Sequence, residues 1–433
     1  EATLRMINAL IAYAVFKAYN LTGDHDDSNL KELVKGSYKK VLSNFFYAHK
    51  CIKNNHTLSE ITGLIVGAWC SDDEYALKKS YNLMDKEIDN QFMKDGGYIQ
   101  YSFNYQRFAL QIMEFVIKIS DKTEIYLSDN SIDLINKSAL LMYQLQDASG
   151  DVPNYGSNDG ALIFPVTSCD YRDFRPVLNT IYALTQGERL YKQGNYDEEI
   201  LWFTNEKPEN FPISSTYRET TGYGESGFYS FRHNNGFFMI VLQDFKTRPA
   251  QMDQMHIDLW YNGINVLCDS GTYSYATDIG KKMALTAAHN TLMVDSKEQM
   301  NKHGPFLIYD WTKTKDIEFN SDYFKGTMIS KNGYSHTREI KKTVNGYVIE
   351  DIVIGDFDNI DLLLHTPCDV EKKEFGLNLI YDGNVIAKIL TDDVIEIKES
   401  YRSLYYMKKS IINKVVLKRN ANKRNKMKIV LNV

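Results

Sequence analysis

Three polar clusters in the first half of the chain carry residue types suited to gripping an anion and moving a proton. Asn54-Asn55-His56 stands at a predicted helix start, with Glu60 four residues on. An amide and an imidazole there could hydrogen-bond a carboxylate or a developing oxyanion, with Glu60 orienting the ring. An Asn at a helix start also serves simply as a cap. The second cluster runs from Asp95-Gly96-Gly97 through Gln100 and Ser102 to Tyr105-Gln106-Arg107. Tyr105 falls just inside a helix, where a phenol could face a cleft or fill a core with its hydroxyl satisfied. Arg107 could lower the Tyr105 pKa or hold an acidic group. The third cluster, Pro153-Asn154-Tyr155-Gly156-Ser157-Asn158-Asp159-Gly160 with Tyr171, Asp173 and Arg175 beyond it, is a turn-rich loop. Asn154, Asn158, Asp159 and Arg175 are its candidate ligand-contacting groups, and Gln100 joins them from the second cluster.

The second half offers a different chemistry. Gln254-Met255-His256-Ile257-Asp258 precedes Asp269-Ser270-Gly271 and Tyr275, and His289-Asn290-Thr291 follows. Two His and an Asp on adjacent strands could hold a divalent cation such as zinc. Structural histidines satisfied by hydrogen bonds are the alternative.

These clusters need elements to position them, and the apolar period supplies two kinds. Up to about residue 200 it is helical. Leu4, Ile7, Leu10, Ile11 and Ala14 share one face, and further helices are predicted near 35–50, 57–70, 104–119, 131–147 and 177–192. Thr22 to Asn29 and Ala148 to Gly160 read as connections. Paired helices with long loops suit a bundle or an α/α toroid. From Glu206 to Gly227 the chain is rich in Pro, Gly, Ser and Thr, and beyond it short strands take over. His233-Asn234-Asn235-Gly236 and Asp382-Gly383-Asn384 are turn signals. The expected organisation is a toroid domain over 1–205 and an antiparallel β-sandwich domain over 206–433. The basic, Val/Leu-interleaved stretch from Lys414 to Lys428 reads as edge strands with solvated charges.

Composition narrows the function. A formal net charge of -6 argues against a broad nucleic-acid surface. The five Cys are scattered without metal-type pairing, which argues against a disulfide framework. No apolar run is long enough for a membrane span, and no signal peptide is visible. Thirty Tyr and 21 Phe suit β-sheets, and also clefts that stack sugar rings. The chain opens at Glu1 directly in a helical pattern, so the toroid is expected to be incomplete.

Together, Glu1-Ala2…Arg5…Asn8, Asn54-Asn55-His56…Glu60, Asp95-Gly96…Ser102…Tyr105, His256-x-Asp258, Asp269-Ser270-Gly271 and His289-Asn290-Thr291 resemble the heparinase II/III-like polysaccharide lyases. The stretch from Tyr98 to Arg107 looks most like members associated with bacterial surface-polysaccharide clusters. The resemblance implies an alginate-lyase-like toroid joined to a sandwich, and β-elimination at a uronic acid of an acidic polysaccharide or oligosaccharide. By the same resemblance, Asn55 and His56 would neutralise the carboxylate, and Tyr105 would act as general base, general acid or both. His256, Asp269 and His289 would hold a structural metal, zinc by ligand type. It further implies a periplasmic or secreted protein. Relatives often carry His-x-His-x-Asp, whereas Gln254 here replaces the first, catalytic His. Tyr105 handles both proton transfers, or His256 turns to the cleft as a catalytic group, or activity is lost; Gln254 and Tyr275 are expected to contact substrate. Two other readings stay open. One is a glycoside hydrolase using carboxylates among Asp95, Asp159 and Asp173. The other is a non-catalytic polysaccharide-binding or assembly protein, prompted by Gln254.

Overall fold

A computed structural model describes residues 1–233, 235–420 and 426–433. Helices fill the first half: α1 (Ala2–Ala18), α2 (Asp24–Tyr47), α3 (Asn55–Cys70), α4 (Glu74–Gln91), α5 (Phe103–Thr123), α6 (Asp129–Gln144), α7 (Arg175–Gln186) and α8 (Glu198–Thr204). Consecutive helices pack on each other, save that α4 packs on α6 rather than on α5, and α1, α3, α5 and α7 also touch in succession. That pattern builds an inner layer of odd-numbered helices behind an outer layer of even-numbered ones. The inner helices α3 and α5 are buried along most of their length, and α5 buries Asn104, Gln106, Arg107, Gln111 and Glu114 together with its apolar residues.

Strands follow: β1 (Thr221–Tyr223), β2 (Phe228–His233), β3 (Gly236–Val241), β4 (Ile257–Tyr261) and β5 (Ile264–Leu267) form one antiparallel sheet in that order. A short helix, α9 (Asp278–Met283), precedes β6 (Leu292–Val294) and the ribbon of β7 (Asn301–His303) and β8 (Leu307–Tyr309). Next come β9 (Lys313–Phe319), β10 (Tyr323–Ser330), β11 (Tyr334–Thr343), β12 (Gly346–Gly355) and β13 (Asn359–Thr366). The last strands are β14 (Asp369–Lys373), β15 (Gly376–Tyr381), β16 (Asn384–Leu390), β17 (Val394–Tyr405), β18 (Lys408–Asn420) and β19 (Lys426–Asn432). They assemble into an eight-stranded sheet, β14-β15-β16-β19-β12-β11-β10-β9, and a four-stranded sheet, β17-β18-β13-β6.

The two halves are joined through β3, whose six residues are all buried. Side chains alternate across a strand. Phe237, Met239 and Val241 therefore enter the helical core, while Phe238 and Ile240 enter the sandwich core. Phe228 on β2 and Phe103 on α5 meet across the same junction at 5.2 Å between ring centres. Each such aromatic contributes roughly 2–3 kcal/mol by leaving water. The junction is thus a continuous apolar seam, and the polar groups that border it are held on a stiff frame.

Several sequence expectations are corrected. Thr22 to Asn29 is not a connection beyond its start, because α2 begins at Asp24. Helix α4 was legible in Leu77, Tyr81, Met84 and Ile88, spaced three and four apart and all buried, yet it was not predicted. The strands of the Lys414–Lys428 stretch are interior, not edge: β18 lies between β17 and β13, and β19 between β16 and β12. Its residues 421–425 lie outside the described residues. Alternating Lys and Val shows which face is apolar but carries no information on what lies beside a strand. Both turn signals sit in hairpins. His233 pairs with Gly236, although Asn234 lies outside the described residues, and Asp382-Gly383 adopts φ of 47° and 76°, the positive values a tight hairpin requires. The cysteines are unpaired.

Candidate active site

A cleft of about 850 Å³ opens at the junction of the helices and the sandwich. Its walls carry Asn55, His56, Glu60, Gln100, Tyr105, Asp159, Arg248 and Tyr275, with Phe306 at one side. Asn55 and His56 arrive on the first turn of α3, which begins after a left-handed Lys53 and is capped by Asn54, whose side chain accepts the His56 N–H at 2.9 Å. The cap reading thus belongs to Asn54, which leaves Asn55 free. The Asn55 N–H donates to Gln100 Oε1 at 3.0 Å, so Gln100 fixes the helix start as well as lining the cleft. No hydrogen bond to another described residue engages the Asn55 amide or the His56 ring. Both groups, with the positive end of the α3 dipole behind them, are available to an anion. Burial lowers the His56 pKa, and Asp159 partly opposes it. Glu60 does not bond the imidazole as expected: its Oε2 is buried and unpartnered, and burial raises its pKa.

Tyr105 is placed by the start of α5. Ser102 accepts the Tyr105 N–H at 3.2 Å and donates to the Ser157 carbonyl, tying the helix cap to the 153–160 loop. Gly156, at φ 81°, permits this approach, since a Cβ would stand 2.2 Å from the Tyr101 carbonyl. The Tyr105 hydroxyl donates to Asp159 Oδ2 at 3.1 Å and shares a 3.0 Å hydrogen bond with the Tyr275 hydroxyl. Burial foremost, then Tyr275 and Asp159, push the phenol well above its ordinary range, so it holds its proton.

Behind the Tyr275 wall lies the sandwich cluster. His256, Asp269 and His289 are buried, with potential ligand atoms within 4.8 Å of one another. His289 Nδ1 is 2.7 Å from Asp269 Oδ2, and the Nε2 atoms of both histidines lack partners. His256 Nδ1 is 3.9 Å from the same Asp269 oxygen, and its Nε2 is 3.6 Å from Asp258 Oδ2. Two imidazoles and a carboxylate this close are a donor set of the kind zinc takes, so the residues fit such an ion. Asp269 Oδ1 also accepts the Gly271 N–H at 2.6 Å, which ties the cluster to the turn leading to Tyr275. Gly271 is at φ 81°, where a Cβ would meet Asn154 and the Ser403 carbonyl. Arg338, fully buried, pairs with Asp351 and donates to the Met255 and Asn290 carbonyls, bracing the segments that carry the two histidines.

Six candidates lie outside the cleft. Arg107 points two helix positions past Tyr105, which is 200° around the axis. It is buried, stacks on Tyr171 and Phe174, and donates to Asn104 Oδ1 at 3.0 Å. Asn154 donates to the Ser403 carbonyl at 2.8 Å, and Asn158 accepts the Tyr171 hydroxyl and the Gly160 N–H, so both brace the loop that presents Asp159. Arg175 pairs with Asp173 at 2.7 Å on a separate groove beside Cys169 and Tyr196. Gln254 is wholly buried, its amide bonding the Gln243 N–H at 2.8 Å and carbonyl at 3.3 Å in the manner of a strand neighbour. His256 does not turn to the cleft: it is 1% exposed and accepts the Asn290 N–H. Of the hydrolase candidates, Asp159 alone reaches the cleft. Asp95 accepts the Glu225 and Ser226 N–H groups, and Asp173 holds Arg175. Arg248 was not foreseen. It faces Tyr105 and Tyr275 from the loop after β3, and its only sequence signal is a basic residue beside Pro249.

The chain is similar to known proteins in its C-terminal domain and in its fold. Residues 217–431 match the family described as heparinase II/III-like, C-terminal. A heparin-sulfate lyase of Bacteroides stercoris is 25% identical over 326 residues, covering 70% of this chain and 44% of the relative. The fold is similar to a crystal structure of heparinase III, with a TM-score of 0.74, 15% identity and coverage of 99% of this chain and 68% of that one. The heparan sulfate lyase HepC from Pedobacter heparinus gives a TM-score of 0.69 at 16% identity, covering 94% and 63%. The chain thus spans less than half the length of the curated relative it matches. Residues 217–431, which take in nearly every strand described above, form a domain of the heparinase II/III-like C-terminal family.

Proposed function

We propose that this chain cleaves a uronate-containing polysaccharide by β-elimination in the cleft between helices and sandwich. The observation that carries the reading is the convergence of the Tyr105 phenol, bonded to Asp159 and Tyr275, with the free Asn55 amide and His56 ring. The names of the relatives, lyases of heparin or heparan sulfate, point to the same class of substrate.

The C5 proton of a uronate is weakly acidic until its carboxylate is neutralised. Asn55, His56 and the α3 terminus would supply that neutralisation, joined by Arg248 from the opposite wall. Tyr105 begins as a neutral phenol. As its oxygen takes the C5 proton, its own proton passes to Asp159, and the C4–O4 bond breaks as the C4–C5 double bond forms. Return of the proton from Asp159 lets Tyr105 protonate the departing O4, so the enzyme ends unchanged. Neither Gln254 nor His256 is required. His256, Asp269 and His289 would hold a structural divalent cation, zinc by donor type, which cross-links the strands behind Tyr275.

Screening acidic polysaccharides for the ultraviolet absorbance of a conjugated C4–C5 double bond tests the proposal. Unsaturated products that disappear with Asp159→Asn are expected. Chain shortening without that absorbance would mean hydrolysis and would turn attention to Glu60 and Asp159, the two carboxyls on the cleft wall. Binding without any cleavage would leave a non-catalytic role.

A further inference from the structure

A second cavity, of about 580 Å³, lies between the Asp147-Ala148 turn after α6 and the hairpins β2–β3 and β4–β5. It shares no lining residue with the cleft. Arg218 and Arg232 both line it. Arg218 stacks on Tyr143 and donates only to neutral acceptors, the Tyr143 carbonyl at 3.0 Å and Gln146 Oε1 at 2.8 Å. Arg232 stacks on Phe237 and donates to the Gln144 and Gln146 carbonyls, leaving its Nε buried without a partner. Lys342 adds a third positive charge, with Nζ donating to the Arg232 carbonyl at 3.0 Å. Among the described residues no carboxylate forms an ion pair with any of the three. Asp147 is the one acid on the wall, and its Oδ2 accepts the Ser149 N–H. His233 does not add charge near neutral pH, because burial and these cations lower its pKa to about 4.

Two guanidiniums fixed beside each other by rings and carbonyls repel, and the cavity between them is water-accessible. An anion there would gain charge-assisted hydrogen bonds from donors already oriented. We propose that this cavity binds an oxyanion, a carboxylate or sulfate, borne by an acidic saccharide outside the cleft. The choice of saccharide as its bearer rests on the function proposed above; the anion site itself does not.

Calorimetric titration of the whole chain with inorganic sulfate, and separately with an acidic polysaccharide in a Tyr105→Phe background, tests this. Arg218 and Arg232 also tie the halves together, so the decisive variant is Ala148→Glu, which places a carboxylate over the cavity from an exposed position. It should weaken sulfate binding about tenfold or more, the size of a lost charge-assisted contact. Arg248→Gln, in the cleft, should leave sulfate binding intact. Absence of sulfate binding, or loss with Arg248→Gln but not with Ala148→Glu, would overturn the site. Polysaccharide affinity that falls with Ala148→Glu assigns the anion to a saccharide. Unchanged polysaccharide affinity beside lost sulfate binding overturns the saccharide and leaves a free anion. Neither arm needs turnover, so an inactive chain that still binds sulfate here would sink only the lyase reading.

Discussion

The cleft and the sandwich cluster behind it use the same side-chain types to opposite ends. In the cleft, Asn55 and His56 line the open space with side-chain donors unspent, and the Tyr105 hydroxyl shares hydrogen bonds with Asp159 and Tyr275 on the same wall. A few residues away, His256, Asp269, His289 and Gln254 are sealed from water, and their hydrogen bonds run to backbone and to one another. Chemistry needs a polar group whose partner is missing until substrate arrives. Architecture needs one whose partner is always present, because an unpaired buried polar atom costs about 1–3 kcal/mol; the two unpartnered Nε2 atoms of His256 and His289 are the exceptions in the cluster. Whether a histidine here meets solvent or is sealed is set by which side of the Gly271–Tyr275 wall it occupies.

That contrast breaks most visibly at Tyr105. Tyr105→Phe should reduce kcat by ~10²–10⁴-fold, the span of a lost general acid–base group, with the melting curve nearly unmoved. Activity retained in a rate assay would remove the phenol from the mechanism. The reverse behaviour is expected of the cluster. His289→Ala strands a buried Asp269 and should cost about 3–5 kcal/mol in denaturant unfolding, with bound metal lost in parallel. A wild-type protein that carries no metal and keeps its melting temperature after chelation would dismiss the zinc assignment. Gln254→Ala sharpens the boundary: it unpairs the Gln243 N–H and should cost about 1–3 kcal/mol while KM stays put. A KM effect without destabilisation would return Gln254 to the substrate.

Acidity should separate the regions as well. His233 has a folded pKa of about 4. Its unfolded value is about 6.5. The unfolded chain therefore takes the proton first, and the stability that neutral His233 contributes is full above pH 6.5 and lost as pH falls through about 4. His233→Gln should flatten melting temperature against pH in that window; an unchanged slope would mean that other groups control it. The smallest effect is expected at Arg175, whose groove is separate from the cleft. Arg175→Ala should alter turnover by less than about twofold, as surface changes usually do. A large loss would show that substrate extends into that groove.

The helical and strand periods were legible because they are properties of the chain itself. Tyr105 just inside a helix was readable from the loop before it, whereas the Ser102 cap and the close backbone approaches at Gly156 and Gly271 emerged only in the folded chain. The cap at Asn54 and the freedom of Asn55 could not be separated by type, since both are Asn. Arg107 and Arg248 show the harder case. Arg107 is a neighbour of Tyr105 in sequence and points away from it, while Arg248, far along the chain, faces it across the cleft.

Residue order alone established the class of fold, the turns, the residue types available and their family likeness, because period, capping and turn chemistry act over a few positions. The folded chain settled which of those residues face a common space, which are sealed, and which strands lie inside a sheet. These depend on contacts between segments as distant as Tyr105 and Tyr275, and apolar packing at the β3 seam, not local preference, fixes them.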